Sequence, residues 1–459
     1  MRTLLVFVPV AFAAVTQEMQ LRLLTPLASY SKPGTPFEAV VTGPAADTEH
    51  GIVPRGTLIR GVVRRAHTVK FGVRRERASL ELSFDACQTP NGEPLACELK
   101  LIAVDNARET VREGNRIRGI LAANHAQSLL NGVWLRPAPR LIRRPLSGLY
   151  GAAGMVHRLA PNPIGMGSVI TARLLLLRLP DSEIELPTGA GLIARMSVES
   201  PAAIDTHSAP SSEPFDIDLA DWLRTAPVDI TRPDGVREAD VINFAFLATR
   251  EQLERAFAAA GWVTADEMSP KTRARSYRSV TKMTAYARAP VSTLLYQKRP
   301  PDLVFQKSLN TIAKRHHIRV WRAEESGLDL WLAAATHDTS ITFDWSRMSI
   351  THRIDPFLDK ERSTVVNDLV FSGCTARAAH IDRPHRARAK STDGALVAIE
   401  MTECNAPTPD VRYVERSKGS IVTAGVRRVV LETRHYFWRA NVYHWGFRGA
   451  ASMRAAFRK

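Results

Sequence analysis

From Leu303 to Ile354 short apolar runs of strand length are threaded with histidine, arginine and aspartate, and this pattern constrains the fold more than any other in the chain. The runs at 303–307, 318–321, 328–336 and 348–354 read as neighbouring strands. Among them lie Arg315-His316-His317-Ile318-Arg319-Val320-Trp321, then Thr336-His337-Asp338, then His352-Arg353-Ile354-Asp355-Pro356. Side chains alternate along a strand, so His317, Arg319 and Trp321 share one face while His316, Ile318 and Val320 share the other. The second face reads as buried, which makes His317 and Arg319 the pair expected to be functional.

Asp338 and His352 each end a strand, and Asp355 follows one turn later. If those ends lie side by side, His317, Asp338, His352 and Asp355 converge, with Arg319, Trp321 and Arg362 available to hold a substrate. Two chemistries fit. Two histidines with two carboxylates hold a divalent metal that polarises a phosphoryl or acyl bond and activates water. Without metal, the arginines grip a phosphate bidentately and a histidine serves as acid or base. A purely structural account stands beside both: Asp355 before Pro356 suits a helix cap, and histidine and arginine next to Trp321 suit stacking. With 13 histidines in 459 residues, His352-x-x-Asp355 also arises by chance. Gly-x-Ser-x-Gly, His-Glu-x-x-His and Walker-loop signatures are absent from the sequence.

The start of the chain has the form of a signal peptide over residues 1–13: Arg2, an apolar core from Leu4 to Val10, and the small-x-small triplet Ala11-Phe12-Ala13. An uncleaved anchor running on to Leu27 is the alternative, although Thr16, Gln17, Glu18 and Gln20 interrupt it. Export predicts that the four cysteines pair. Cys87 and Cys97 flank an Asn91-Gly92 turn between two strand-like runs, and Cys374 and Cys404 bracket two more, so each pair can meet across an antiparallel hairpin. No Cys-x-x-Cys spacing suggests zinc. The net charge of +16 draws an exported protein to anionic envelope lipid or glycan, and peripheral membrane contact follows from it. Nucleic acid is not an expected partner, since no stripe of aromatics interleaves the basic residues.

The length and an apolar content of 45% allow two cores. Residues 28–198 read as an all-β module, a small antiparallel sheet or barrel with a helical insertion at 115–133. Pro-x-Gly turns leading into apolar runs at both ends (54–63 and 187–197) suggest one sheet. Residues 199–235 are poor in large apolar side chains and read as a linker, with a short docked helix near 215–223 as an option. Residues 236–459 read as an α+β domain with a mixed or antiparallel sheet and helices on one side. It contains a helix capped by Thr249 and Gln252 and another beginning at Asp355-Pro356.

Residues 37–198, with Val104-Asp105-Asn106-Ala107-Arg108-Glu109, resemble a β-rich module of bacterial envelope proteins. From Asp240 to His385 the chain resembles the LssY C-terminal domain family. The matching segments include Asn243-Phe244-Ala245-Phe246-Leu247, Leu303-Val304-Phe305-Gln306-Lys307, the Arg315–Trp321 run, Trp331–Asp338 and Thr351–Asp355 with Asp359, Glu361 and Arg362. The resemblance implies an envelope setting, because such domains are often joined to lipid-phosphate phosphatase or DedA-like membrane segments. Two functions are therefore expected as alternatives: an exported protein binding phosphorylated envelope lipid or glycan, or a hydrolase acting on a phosphorylated envelope substrate through His317, Asp338 and His352.

Overall fold

The computed structural model describes residues 15–45, 52–69, 77–119, 183–198, 215–235, 238–282, 284–324, 329–344, 349–383, 392–404 and 409–416, with Val426 and Val430. Two sheet domains account for most of them.

The first domain is built from β1 (Val15–Leu23), β2 (Pro36–Pro44), β3 (Leu58–His67), β4 (Ser79–Gln88), β5 (Cys97–Val104), β6 (Thr110–Arg112), β7 (Arg116–Arg118) and β8 (Gly191–Val198). All pair antiparallel in the order β5-β8-β1-β2-β3-β4-β7-β6, with Pro94–Leu95 added beside β4. Period-two alternation sends Met19, Leu21, Leu23, Ile59, Val63, Leu80, Leu82, Leu192 and Met196 into one core. The sheet nearly closes on itself through Asn115. This residue takes a left-handed φ of 54°, its side chain accepts from Leu101 N at 2.8 Å, and its carbonyl accepts from Leu82 N at 3.2 Å. Asn tolerates that backbone because its short amide can bond locally. Cys87 and Cys97 are joined across the β4–β5 hairpin.

The second domain contains β9 (Asp229–Thr231), β10 (Glu238–Val241), β11 (Phe244–Leu247), β12 (Leu303–Ser308), β13 (Arg315–Arg322), β14 (Leu330–Asp344), β15 (Ser349–Ile354), β16 (Thr375–Ile381) and β17 (Leu396–Met401). The helices are α1 (Ile217–Thr225), α2 (Arg250–Ala259), α3 (Pro270–Lys282) and α4 (Leu358–Phe371). The main sheet runs Val263–Thr264, β12, β13, β14, β11, β17, β16, with β15 paired to the far half of β14. Its β11–β17 pair is parallel and its other pairs are antiparallel, so the sheet is mixed. Phe244, Phe246, Phe257, Trp262 and Phe305 fill one side beneath α2 and α4. Their ring centroids lie 4.4–5.8 Å apart, a geometry in which each pair adds about 1 kcal/mol beyond area burial. Cys374 and Cys404 are bonded at the edge of this layer.

Several expectations change. Helices cover both sides of the sheet, because Ala220 and Leu223 of α1 pack with Trp321, Leu332 and Ala334 on the side opposite α2 and α4. That helix is the short docked helix offered as an option near 215–223, and with β9 it occupies part of the segment read as linker. In place of a helix at 115–133, Arg116–Arg118 form β7, with Ile117 pointing into the barrel core; the remainder of that insertion lies outside the described residues. The signal segment lies outside them as well, whereas Val15–Leu23 is a strand bonded on both edges, not the continuation of an anchor helix. The capping box at Thr249 and Gln252 is present. At the other helix, Asp355 bonds Phe357 N at 3.0 Å and α4 begins only at Leu358, two residues later than the Asp-Pro pair predicts.

The domains meet along α4 through polar contacts. Asp368 accepts from Arg22 of β1, Asn367 donates to Gln20 Oε1 at 2.9 Å and to Pro44 O at 2.8 Å, and Gln20 donates to Thr364 Oγ1 at 2.8 Å.

Candidate functional site

Strand β13 carries the centre of the second domain, and both of its faces are covered. Arg315, His316, His317, Arg319 and Trp321 are each at most 4% exposed. The reading that only the His316 face is buried is therefore incorrect: α1 and the segment 284–292 close the other side. Buried polar groups must find partners, and the two faces do so differently.

On the His317 face the register of β13 against β14 sets Arg315 opposite Asp338 and His317 opposite Thr336. The bulge at Thr339 turns β14 so that Ile341 pairs with His352 of β15, which brings His352 to the same carboxylate. Asp338 Oδ2 accepts from Arg315 Nε at 2.7 Å, with His352 Nδ1 at 3.3 Å and His317 Nδ1 at 3.7 Å. Burial opposes the charge on Asp338, but His352, His317 and Arg315 hold its carboxyl well below the ordinary range. Burial drives His317 down to about 3 and His352 to about 4, against the pull of Asp338. Both rings are neutral near pH 7, so neither contact with Asp338 is an ion pair despite its length; Arg315 already balances that charge. His317 Nε2 meets Thr336 Oγ1 at 2.7 Å, while the Nδ1 atoms of His317 and His352 are buried without a hydrogen-bond partner.

Thus the expected trio of His317, Asp338 and His352 does gather. The other expected residues do not join it. Asp355 caps Phe357 N. Arg319 donates to Asp240 at 3.1 Å and to the Ser292 carbonyl and hydroxyl. Trp321 donates to Arg299 O within the apolar core. Arg362 projects from α4 and is bonded to both oxygens of Asp393 and to Ala395 O. Their donors are spent inside the fold.

On the opposite face His316 bridges two carboxylates, Nδ1 to Glu361 Oε2 at 2.7 Å and Nε2 to Asp105 Oδ2 at 2.8 Å. Burial opposes its charge, yet the attraction of Glu361 and Asp105 and the hydrogen bonds to both raise it well above the usual imidazole range. His337, opposite His316 in the ladder, stacks on it with ring centroids 4.4 Å apart and planes 14° apart. Burial first, then the His316 charge, pushes His337 down to about 3. Asp105 comes from the first domain, immediately after β5. Beside it, Asn310 bonds Ala107 N and Glu109, and Lys314 bonds Asn106 O. Sequence reasoning passed over this cluster because it assigned the face to apolar packing. The available signal was the cross-strand pairing of His316 with His337.

The described chain is thus a near-closed β-module docked on a mixed-sheet α+β domain that buries two histidine–carboxylate clusters about one strand. Residues 224–398 match the family described as LssY C-terminus, and this second domain is an LssY C-terminal domain. No curated protein matches the chain.

Proposed function

We propose that the protein is an exported envelope protein that binds anionic, phosphorylated lipid or glycan through helix α3. One observation supports this most. Along Pro270–Lys282 there is no acidic residue, and Lys271, Arg273 and Arg275 are exposed, with Met268 43% exposed just ahead of the helix. A basic helix with an apolar side chain at its start suits the headgroup region of an anionic surface. The two disulfides fit an oxidising compartment. Among the described residues no helix is long and apolar enough to cross a membrane, so contact with lipid would be made from the surface. The test is sedimentation with phosphatidylglycerol vesicles, with a soluble phosphorylated glycan as a separate arm. Each neutralised basic residue is worth about 1 kcal/mol near such a surface, so Lys271→Gln/Arg273→Gln/Arg275→Gln should weaken vesicle binding roughly 100-fold. Added salt should weaken the wild type as well. Equal binding by the triple variant would end this reading.

Hydrolysis of a phosphorylated substrate is the second reading. It is supported by the unpartnered Nδ1 atoms of two neutral imidazoles beside ionised Asp338, with His352 part-exposed. Loss of phosphate-ester turnover in His352→Ala at unchanged melting temperature would favour it, and the absence of turnover in the wild type would dismiss it.

A further inference from the structure

We propose that Asp105, His316 and His337 bind one divalent cation of the zinc class at the junction of the two domains, with Glu361 orienting His316 from outside the coordination shell. One ligand atom from each of the three residues lies within 4.8 Å of the others. The donor set, two imidazoles and one carboxylate, is the kind that borderline cations such as Zn(II) prefer, whereas Ca(II) and Mg(II) call for more oxygen ligands.

Three further features point to a metal and not only to an ion pair. Glu361, 3% exposed, accepts the Nδ1 proton of His316, which leaves Nε2 directed at Asp105. Metal-bound histidines are held by an outer carboxylate in this arrangement, which fixes the tautomer. Next, His337 Nε2 is buried with no hydrogen-bond partner; in the tautomer protonated on Nδ1 it presents a free lone pair. Finally, the Asp105 side chain keeps 25% of its surface exposed, so an ion can reach the cluster from that side.

Binding exchanges the proton on His316 Nε2 for the cation. The neighbouring charges are Lys314, whose field reaches Asp105 and His337, and the carboxylates of Glu361 and Asp105. Loading also tilts the two rings out of their stack, because parallel rings aim their lone pairs side by side and not at one point. Three protein ligands leave a fourth position for water. Since Asp105 belongs to the β-module and both histidines to the LssY C-terminal domain, the ion would tie the domains together.

The test uses the full chain, stripped with EDTA and titrated with zinc chloride by calorimetry. One saturable equivalent is expected. His337→Gln and Asp105→Asn should each lower the affinity at least 10-fold, and Glu361→Gln by about 10–100-fold, the usual cost of losing an outer partner. Cobalt(II) should give the visible bands of a four-coordinate site, and X-ray absorption should place two imidazoles about 2.0–2.1 Å from zinc. If Asp105→Asn separates the domains, His337→Gln decides alone, since the Nε2 it removes takes part in no hydrogen bond. Absence of a saturable equivalent, or equal affinity in wild type and His337→Gln, overturns the proposal in favour of an ion pair only.

Discussion

His316 and His317 are consecutive, equally buried and on the same strand, yet one is driven towards the imidazolium and the other towards the neutral ring. Burial alone would make both neutral. The difference lies in who holds the nearby carboxylates. His316 bonds one carboxylate through each nitrogen, and neither of those acids has a closer cation. His317 faces one carboxylate at 3.7 Å that Arg315 already occupies at 2.7 Å, and its Nε2 meets only a hydroxyl. In a sheet covered on both sides, charge state is decided by cross-face partners, and alternation along the strand lets adjacent residues differ completely.

Removing the carboxylate at the centre of the His317 face should have the largest effect. Asp338→Asn keeps the shape but leaves the buried Arg315 side chain without its counter-charge. Losing one partner of a buried pair costs about 3–5 kcal/mol. Urea denaturation of the variant should show a loss of that size. A loss under about 1 kcal/mol would mean that the carbonyls of Ala289 and Pro290, which Arg315 also contacts, suffice to hold it.

The depressed rings and the one raised ring should also give opposite pH slopes in metal-free protein, with His337 siding with His317 although it stacks on His316. His317, His337 and His352 are depressed to about 3, about 3 and about 4 in the folded state, against roughly 6.5 in the unfolded chain. Below about pH 6.5 the unfolded chain takes up protons that the folded one refuses. Their contribution is therefore complete above about pH 6.5 and is lost as the pH falls through 4 and then 3. His316 runs the other way: raised in the fold, it contributes fully below about pH 6.5 and loses its contribution as the pH climbs through its folded value. Urea midpoints should therefore peak near neutrality and drop by pH 5. A flat profile from pH 7 to 5 would show that the three neutral rings do not resist protonation.

Much of the His317 face was legible before any coordinates, because strand alternation and strand ends place His317, Asp338 and His352 together. Arg362 was not, since its partner Asp393 stands 31 residues on, in a loop after β16. Asp355 was half legible: its capping chemistry was foreseen, but the helix it introduces starts two residues late, and the same bond removes it from the cluster. The His316 face was hidden for two reasons. Its apolar neighbours Ile318 and Val320 make the stripe look dry. Asp105 lies 211 residues away in another domain, where no local periodicity can find it. Nor does apolar periodicity announce what α4 covers, since it buries Glu361, Arg362, Asn367 and Asp368 beside Leu358, Val365 and Leu369.

A gentler change can separate the faces without touching either histidine. Asn310 ties the Asp105 loop to the second domain: Nδ2 donates to Glu109 Oε2 at 2.8 Å and Oδ1 accepts from Ala107 N at 3.0 Å. Glu109 is 7% exposed, and burial raises its carboxyl, partly offset by Arg108 and by this amide. Asn310→Ala should cost about 1–3 kcal/mol, the range for leaving a buried acceptor less satisfied. With the loop loosened, Asp105 should hold His316 less firmly, and nitrogen NMR titration should find its imidazole moved back towards the ordinary range. His317, whose partners Thr336, Asp338 and Arg315 all belong to one sheet, should titrate as before. Equal movement of both rings would mean that the faces communicate through β13 itself, and that the contrast between them is a property of the strand and not of the domain junction.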